Sequence, residues 1–255
     1  MGELRVENLR KSYQRKEGWN TTRSLRVFDN VSFAVREGEF VSIIGPSGCG
    51  KSTLLNLSAG LDPATGGAVY VDDHKVQGPG LDRGVVFQEF ALFPWLTVVG
   101  NIEFGLRSKG VSAAERHGIA QHYVKLVGLS GFENFHPYRL SGGMRQRVGI
   151  ARALAIEPSV LLMDEPFGAL DAQTRESMQK ALGDIWQATK KTVLFITHDI
   201  REAIYLSDRV LVMNGRPATI SLELSIELPR PRNRHDDQFR SYESQLEQAI
   251  GTTAS

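Results

Sequence analysis

The sequence has few cysteines and no long apolar runs. Cys49 is the single cysteine among 255 residues, which excludes a disulfide framework and a cysteine-based metal site and favours a reducing compartment. No stretch reaches the roughly 18 to 20 uncharged apolar residues that a membrane-spanning helix requires. Glu3 and Glu7 lie where a signal peptide would be apolar. We therefore expect a chain that does not span a membrane and is located in the cytoplasm.

The sequence also lacks an excess of one charge. Its 30 Lys and Arg against 29 Asp and Glu give a formal net charge of +1. Counterion release on nucleic acid requires an excess of cations on one face. The balance therefore argues against a nucleic-acid partner.

The apolar pattern predicts a sheet protein of the α/β class. Alternating apolar residues from Leu4 and the continuous run at 40–45 predict early strands. From 160 to 206 the pattern runs strand, helix, strand, helix. This alternation indicates a parallel sheet with helices on its faces. The polar stretch 14–26 between the first two strands is predicted to be an exposed loop.

The middle of the chain is predicted to be helical. Ser112 and Glu115 form a capping box, and another helix is expected to begin at Ser141. We interpret the block at about 90–157 as an inserted helical subdomain. The polar tail from Pro229 is expected on the surface, so the chain divides into a main domain, 1–230, and a short tail, 231–255.

A phosphate-binding loop is predicted at GPSGCGKS, residues 45–52. It follows a buried strand and precedes a helix, as the motif G-x-x-x-x-G-K-[ST] requires. The glycines let successive N–H groups point at an anion, and the helix dipole adds to their effect. Lys51 supplies charge for the β- and γ-phosphates. The predicted loop residues are Gly45, Pro46, Ser47, Gly48, Cys49, Gly50, Lys51, Ser52 and Thr53.

Three side chains of this segment have individual predicted roles. Ser52 offers its hydroxyl to Mg²⁺, and Thr53 can donate near the α-phosphate. Cys49 resembles a nucleophile, but no base neighbours it in sequence, so a spacer role is favoured. A glycine-rich turn without a ligand is the alternative for the whole segment.

Polar side chains follow three further strands of the predicted sheet. Because ligands bind at the carboxyl ends of such strands, Asp164 is expected to hold Mg²⁺ and Glu165 to activate water as a general base. Gln88 can contact Mg²⁺ and the attacking water, and His198 can reach a γ-phosphate. Each residue alone fits a cap, a turn or a structural histidine. Together with Lys51 they predict a nucleotide-hydrolysing site.

The segment LSGGMRQRVGIARAL, residues 140–154, identifies a family. With it, the chain resembles the ATP-binding subunits of ABC transporters over nearly its whole length. The resemblance implies a P-loop NTPase fold with a RecA-like parallel core sheet, an antiparallel β subdomain and an inserted α-helical subdomain. It also rests on Tyr13, loop 45–53, Gln88, Asp164, Glu165, GALD at 168–171 and His198.

The resemblance further implies a head-to-tail dimer that sandwiches ATP. One phosphate loop would face the other subunit's Ser141, Gly142 and Gly143, while Asp171 would couple the two sites. Ser141 is a helix N-cap residue, so its hydroxyl and the amides after it can face a γ-phosphate. Met144 stands where the family most often has Gln, which affects only that side-chain contact.

Segments 78–102, 164–175 and 228–232 resemble nitrate, sulfonate and taurine importers, most closely the taurine and aliphatic sulfonate branch. This implies an ATPase that uses ATP and Mg²⁺ to energise import of a small anionic solute from the cytoplasmic face of the membrane. Its implied partners are two transmembrane permease subunits, a second ATP-binding subunit (the same chain or a paralogue) and, indirectly, an extracytoplasmic solute-binding protein.

Apolar side chains directly after Gln88 form a candidate docking surface for the permeases. The alternative is that they pack the helical subdomain's own core. The candidate docking residues are Phe90, Leu92, Phe93, Trp95 and Leu96.

The resemblance also implies that Tyr13 stacks on adenine. The alternative is an ordinary tyrosine at the end of a strand.

Two other functions are alternatives. A non-transport ABC ATPase acting on DNA or ribosomes would need coiled-coil insertions, a second cassette or a basic face, none of which the sequence contains. A module that holds ATP without hydrolysing it would not need Glu165 and His198. A further regulatory domain after about residue 230 is not expected, because too little chain remains.

Overall fold

The structure is a computed structural model that describes residues 2–16 and 22–251. The strands are β1 (Leu4–Lys16), β2 (Thr22–Val35), β3 (Phe40–Ile44), β4 (Gly66–Val71), β5 (His74–Lys75), β6 (Arg83–Val86), β7 (Val160–Asp164), β8 (Thr192–Ile196), β9 (Arg209–Gly215) and β10 (Ala218–Ser225). The helices are α1 (Lys51–Ala59), α2 (Val98–Ser108), α3 (Ala113–Leu126), α4 (Gly142–Ala155), α5 (Ala172–Thr189), α6 (Ile200–Leu206) and α7 (Asp237–Gly251), with a 3₁₀ helix at Pro137–Arg139.

The strands form one mixed sheet in the order β5-β4-β1-β2-β10-β9-β3-β8-β7-β6. Strands β9, β3, β8, β7 and β6 are parallel to one another. At the other end of the sheet β1 pairs antiparallel with β2 and β4. The predicted α/β fold with a parallel core and an antiparallel part is therefore confirmed.

The central strands are covered on both faces. Successive side chains of a strand point to opposite sides, and in β3 Phe40 packs edge-on against Trp186 of α5, with ring centroids 5.9 Å apart. Val41 and Ile43 belong to the core on the other face. This double burial explains why the strand is a continuous apolar run. It also aligns the carboxyl ends of five parallel strands along one edge.

The predicted helix starts at Ser112 and Ser141 are confirmed, and the helix after the phosphate loop is present. Gly60 ends α1 with a left-handed φ of 75°. The Ser112 side chain accepts a hydrogen bond from the N–H of Glu115 at the start of α3, and Ser141 does the same for Met144 at the start of α4. Helices α2, α3 and α4 pack on one another within the block about 90–157. The division of the chain into domains stays a prediction.

The loop prediction for residues 14–26 is wrong over most of its length. Strands β1 and β2 continue into it, with Tyr13 opposite Leu25 and Gln14 opposite Ser24. Residues 17–21 lie outside the described part of the chain. Backbone hydrogen bonds hold the two strands of an antiparallel ribbon together. When both faces of the ribbon are exposed to water, its sequence needs no alternating apolar residues, so the strands could not be predicted from that pattern.

The surface assignment of the C-terminal tail from Pro229 is right for most of its residues, which are exposed, but wrong for a few that pack against the core. Residues 237–251 form α7, which packs against α6 and β9. Phe239 and Leu246 are fully buried, and Arg232 is 6% exposed. The prediction was based on the polar residues 229–237. The helix that follows them has apolar residues at helical spacing, which the prediction did not use. In residues 2–16 and 22–251, no helix has the length and apolar character that crossing a bilayer demands.

Candidate active site

The phosphate loop connects β3 to α1 and requires glycine at two places. Gly45 has a φ of 156°, and a Cβ there would lie 2.0 Å from the carbonyl oxygen of Met213 in β9. Gly50 has a φ of 103°, and its Cβ would lie 2.5 Å from Cγ1 of Val27. The backbone of the loop therefore sits tightly between β9 and β2. Pro46, Ser47 and Gly48 form its exposed outer part.

The ammonium group of Lys51 lies inside this loop. The side chain is 6% exposed, and Nζ donates to the carbonyl oxygens of Gly45 at 2.8 Å and Pro46 at 3.1 Å. Among the described residues its hydrogen-bond partners are neutral carbonyl oxygens, so an incoming phosphate would supply the negative charge that a buried ammonium requires. The donor set of the loop therefore fits a nucleotide polyphosphate.

Cys49 belongs to the same loop, and its side chain is buried. Burial raises the pKa of its thiol, although the charges of Lys51 and Arg216 act in the opposite direction. The thiolate is the reactive form of cysteine. The geometry therefore supports the spacer role, which stays a prediction.

Ser52 and Asp164 meet at the start of α1. The Ser52 hydroxyl donates to Oδ1 of Asp164 at 3.1 Å. Burial, followed by the neighbouring Glu165 charge, raises the pKa of Asp164. The described residues contain no group of three or more His, Cys, Asp or Glu side chains that could hold a metal by themselves. One carboxylate and one hydroxyl instead fit Mg²⁺, which binds through few protein oxygens plus substrate phosphates.

Glu165 and His198 form the second polar pair. His198 Nδ1 lies 2.8 Å from Oε2 of Glu165, and the Glu165 backbone has a φ of 41°. A positive φ is uncommon outside glycine and occurs at functional sites. The backbone N–H of Glu165 donates to the carbonyl oxygen of Ile196, the last residue of β8, at 2.9 Å. The end of β8 therefore fixes where the carboxylate points.

Gln88 reaches the same place from β6. Its Nε2 lies 3.1 Å from the position that a Cβ on Gly168 would occupy, and Oε2 of Glu165 lies 3.7 Å from that position. The structure therefore brings the ends of β6, β7 and β8 together, and Asp164 at the end of β7 accepts from Ser52, the residue after Lys51. With the end of β3, which leads to Lys51, these are the four polar strand ends that the sequence selected.

Tyr13 lies on β1 and is 40% exposed. Its hydroxyl donates to Oδ2 of Asp62 at 2.5 Å. Burial raises the pKa of Tyr13, and Asp62 adds to that effect while the Thr53 side chain opposes it. Tyr13 and Thr53 are thus neighbours, which places the ring beside the phosphate-loop helix.

The signature residues form a separate group at the start of α4. Ser141 is exposed, and a Cβ on Gly143 would lie 2.6 Å from Cγ2 of Thr174 in α5. Asp171 caps α5 by accepting from the N–H of Thr174 at 3.0 Å, and this bond holds the pKa of Asp171 below its ordinary value. Gly142 packs beside Leu170. Within the described residues, no hydrogen bond or ion pair joins this group to the phosphate loop.

A comparison with protein families decides the identity. The family model described as ABC transporter matches residues 28–168, more than half of the chain. The chain belongs to the ABC transporter family. It is an ABC ATPase, as the signature segment suggested.

Several named proteins resemble this ABC ATPase along most of their length. An uncharacterised ABC transporter ATP-binding protein of Methanocaldococcus jannaschii is 52% identical over 95% of the chain and 89% of the relative. A nitrate import ATP-binding protein of Synechocystis is 50% identical over 91% and 86%. A taurine import ATP-binding protein of Burkholderia pseudomallei is 52% identical over 87% and 85%.

A solved structure shares the fold. It is a dimeric ATP-binding cassette in a post-hydrolysis state with ADP and Pi bound. It is 37% identical to this ABC ATPase and superposes with a TM-score of 0.75, covering 88% of this chain and 99% of the other. The P-loop NTPase fold expected from the resemblance is therefore confirmed.

The candidate docking residues of the ABC ATPase are only partly exposed. Phe90 and Leu92 are half-buried against the helical core, whereas Trp95 is 70% exposed. Phe93 packs between Trp95 and Phe104, with ring centroids 5.6 and 4.2 Å away. Leu96 is half-buried. The packing alternative therefore fits Phe90 and Leu92, whereas docking through the exposed Trp95 stays a prediction.

Three charged residues beside the site were not predicted from the sequence. The Nη2 atom of Arg216 lies 3.3 Å from the position of a Cβ on Gly48, and Lys11 and Asp62 contact Tyr13. Arg216 follows β9, which pairs with β3. The sequence shows that Arg216 is a basic residue directly after an apolar strand. It does not show that this strand pairs with β3, which leads into the phosphate loop.

Proposed function

We propose that this ABC ATPase energises import of a small anionic solute of the taurine, sulfonate or nitrate type. The observation that carries the proposal is the convergence of Ser52–Asp164 and Glu165–His198 beside Lys51. This arrangement has the parts that phosphoryl transfer to water requires. Relatives named for nitrate and taurine import, at 50% and 52% identity, support the solute class.

In this proposal the loop amides and Lys51 bind the phosphates of ATP. Ser52, Gln88 and Asp164 would hold Mg²⁺, which when bound neutralises charge on the β- and γ-phosphates. Glu165 accepts a proton from the attacking water. His198 orients the Glu165 carboxylate through the 2.8 Å contact and lies within reach of the γ-phosphate side.

A second subunit would complete each site. The exposed Ser141 with Gly142 and Gly143 forms a helix N-terminus that has no phosphate loop beside it in its own chain. A head-to-tail partner would bring that N-terminus to ATP, with Asp171 at the same interface. The dimeric cassette with ADP and Pi supports this assembly.

The remaining partners follow from the importer proposal. Two transmembrane permease subunits would bind the surface around Trp95, which places the ATPase at the cytoplasmic face of the membrane. The solute-binding protein would act on it only through those permeases. ATP-driven closure and reopening of the dimer would move the docking surface.

The experiment that tests the proposal is Mg²⁺-dependent ATP hydrolysis by the ATPase with its permeases in lipid. Hydrolysis is measured with empty and with loaded binding protein, using taurine, an alkanesulfonate and nitrate in turn. We expect one loaded binding protein to stimulate hydrolysis, which would also identify the solute. Hydrolysis that no partner changes would contradict the importer proposal and favour a non-transport ATPase.

A further inference from the structure

A partly buried ion pair lies directly against the exposed tyrosine of the site. Lys11 is 5% exposed, and its Nζ contacts Oδ1 of Asp62 at 2.5 Å and the carbonyl oxygen of Pro63 at 2.7 Å. The other carboxylate oxygen of Asp62 accepts the Tyr13 hydroxyl at 2.5 Å. One carboxylate therefore binds both a buried cation and the end of the aromatic ring.

The cation also covers one face of that ring. Lys11 and Tyr13 are two residues apart on β1, so their side chains leave the strand on the same side. Nζ of Lys11 lies 4.5 Å from the ring centroid of Tyr13, within cation–π range. Tyr13 nevertheless keeps 40% of its surface exposed. The ring is thus held at its hydroxyl and at one face, while part of it remains open to a ligand.

The pair also connects the ring to the phosphate loop. Asp62 follows the Gly60 turn that ends α1, and α1 begins at Lys51 of the loop. The Lys11–Asp62 contact therefore joins β1 to the far end of the helix whose first turn would bind phosphate. Burial raises the pKa of Asp62, but hydrogen bonds from Lys11 and Tyr13 outweigh it and lower that pKa. The carboxylate stays ionised and keeps both partners at neutral pH.

We infer that Lys11 and Asp62 are positioning residues that hold Tyr13 as a preformed platform for the adenine base. The inference rests on the proposed function, in which Tyr13 stacks on ATP. A flat ring that is already oriented loses less conformational freedom when a base stacks on it. The pair would therefore strengthen binding through the base and leave binding through the phosphates unchanged.

The test compares ATP with inorganic tripolyphosphate, which has the phosphates but no base. Equilibrium dissociation constants of both are measured in the presence of Mg²⁺ for the wild type, Asp62→Asn, Lys11→Met and Tyr13→Ala. We expect Asp62→Asn and Lys11→Met to weaken ATP binding about 3- to 10-fold and Tyr13→Ala about 5- to 100-fold. Tripolyphosphate binding should change by less than about twofold in all three.

Asp73→Asn is the matched control. Asp73 is an exposed carboxylate whose side chain pairs with Arg5, and it lies outside the site. This variant should leave both dissociation constants unchanged. In the double variant Asp62→Asn with Tyr13→Ala, ATP binding should be no weaker than with Tyr13→Ala alone, because the pair acts only through the ring.

The outcomes separate the inference from the proposed function. If Asp62→Asn and Lys11→Met weaken ATP and tripolyphosphate equally, or weaken neither, the positioning role is wrong while base stacking still stands through Tyr13→Ala. If Tyr13→Ala changes ATP and tripolyphosphate alike, base stacking is wrong and the inference is wrong with it. Lys11→Met keeps the apolar stem of the side chain, so it decides the question if Asp62→Asn does not fold.

Discussion

Asp164 and Glu165 are adjacent in sequence but have different surroundings. Asp164 is half-buried and accepts from Ser52, whereas Glu165 turns away through a positive φ and contacts His198. Adjacent residues near a strand end point in different directions, so two carboxylates can serve two roles. This residue-scale difference underlies the assignment of one carboxylate to metal and the other to water.

The general-base assignment predicts a separation of binding from turnover. Glu165→Gln removes the proton acceptor and keeps the shape, so ATP hydrolysis should fall by about 10² to 10⁴-fold while the dissociation constant for ATP changes little. In the proposed dimer the variant should also remain associated when ATP is present, as measured by sedimentation. The conservative variant Glu165→Asp, which keeps a carboxylate at this position, is the matched control. Hydrolysis by Glu165→Gln at the wild-type rate would contradict the role of Glu165.

Asp164 predicts a pH dependence of stability. Its folded-state pKa is raised by burial, so the folded chain binds this proton more tightly than the unfolded chain. The ionised carboxylate therefore opposes folding at neutral pH, and the opposition disappears as the pH falls through the folded pKa.

Asp164→Asn should accordingly be more stable than the wild type in the absence of nucleotide and Mg²⁺. Its advantage should shrink as the pH falls. Denaturant unfolding at about pH 7 and about pH 5 measures both free energies. Mg²⁺-dependent hydrolysis should be lost at the same time. An advantage that grows on acidification would show that the sign is wrong.

At the scale of elements, α7 was the least visible part of the fold. Its apolar residues pack into a small core with α6 and β9, and the side chain of Asn214 in β9 donates to the carbonyl of Ala249 at 2.8 Å. This core depends on residues far apart in the chain. The buried strands β3, β7 and β8, by contrast, were predicted because each consists mostly of apolar residues in succession.

The packing of α7 predicts a large cost for removing one side chain. Leu246 is fully buried, so Leu246→Ala should lower the free energy of unfolding by about 2–5 kcal/mol. Glu247→Ala, an exposed neighbour on the same helix, should stay within about 0.5 kcal/mol of the wild type. Denaturant unfolding measures both. Equal stability of the two variants would mean that α7 does not pack as the structure shows.

At the scale of the whole molecule, the residues of the proposed ATP site form two groups. The phosphate loop and the polar strand ends lie together, while Ser141 and Asp171 lie at the starts of α4 and α5. A third region, around Trp95, is set by Asn101. The Asn101 amide is buried, accepts from the N–H of Phe93 and donates to the carbonyl of Thr97 at 2.9 Å. These bonds fix the segment that presents Trp95.

The docking assignment predicts loss of coupling without loss of chemistry. Trp95→Ala should leave ATP hydrolysis by the isolated ATPase within about twofold of the wild type and should reduce its stimulation by permeases at least tenfold, as expected for an aromatic interface residue. Tyr138→Ala is the matched control, because Tyr138 is 75% exposed and lies outside the docking surface. Hydrolysis assays with and without permeases measure both. Full stimulation of Trp95→Ala would contradict the docking role.

The phosphate loop, the helix caps at Ser112 and Ser141, the parallel core and the family could all be predicted from the sequence alone. Each of these depends on residues that are contiguous or regularly spaced, so local chemistry specifies them. Three features required the three-dimensional fold: the contacts of Lys11 and Asp62 with Tyr13, the position of Arg216 over the loop, and the packing of α7 against the core. Those contacts depend on which strands and helices become neighbours, because side chains distant in sequence meet only once the sheet has formed.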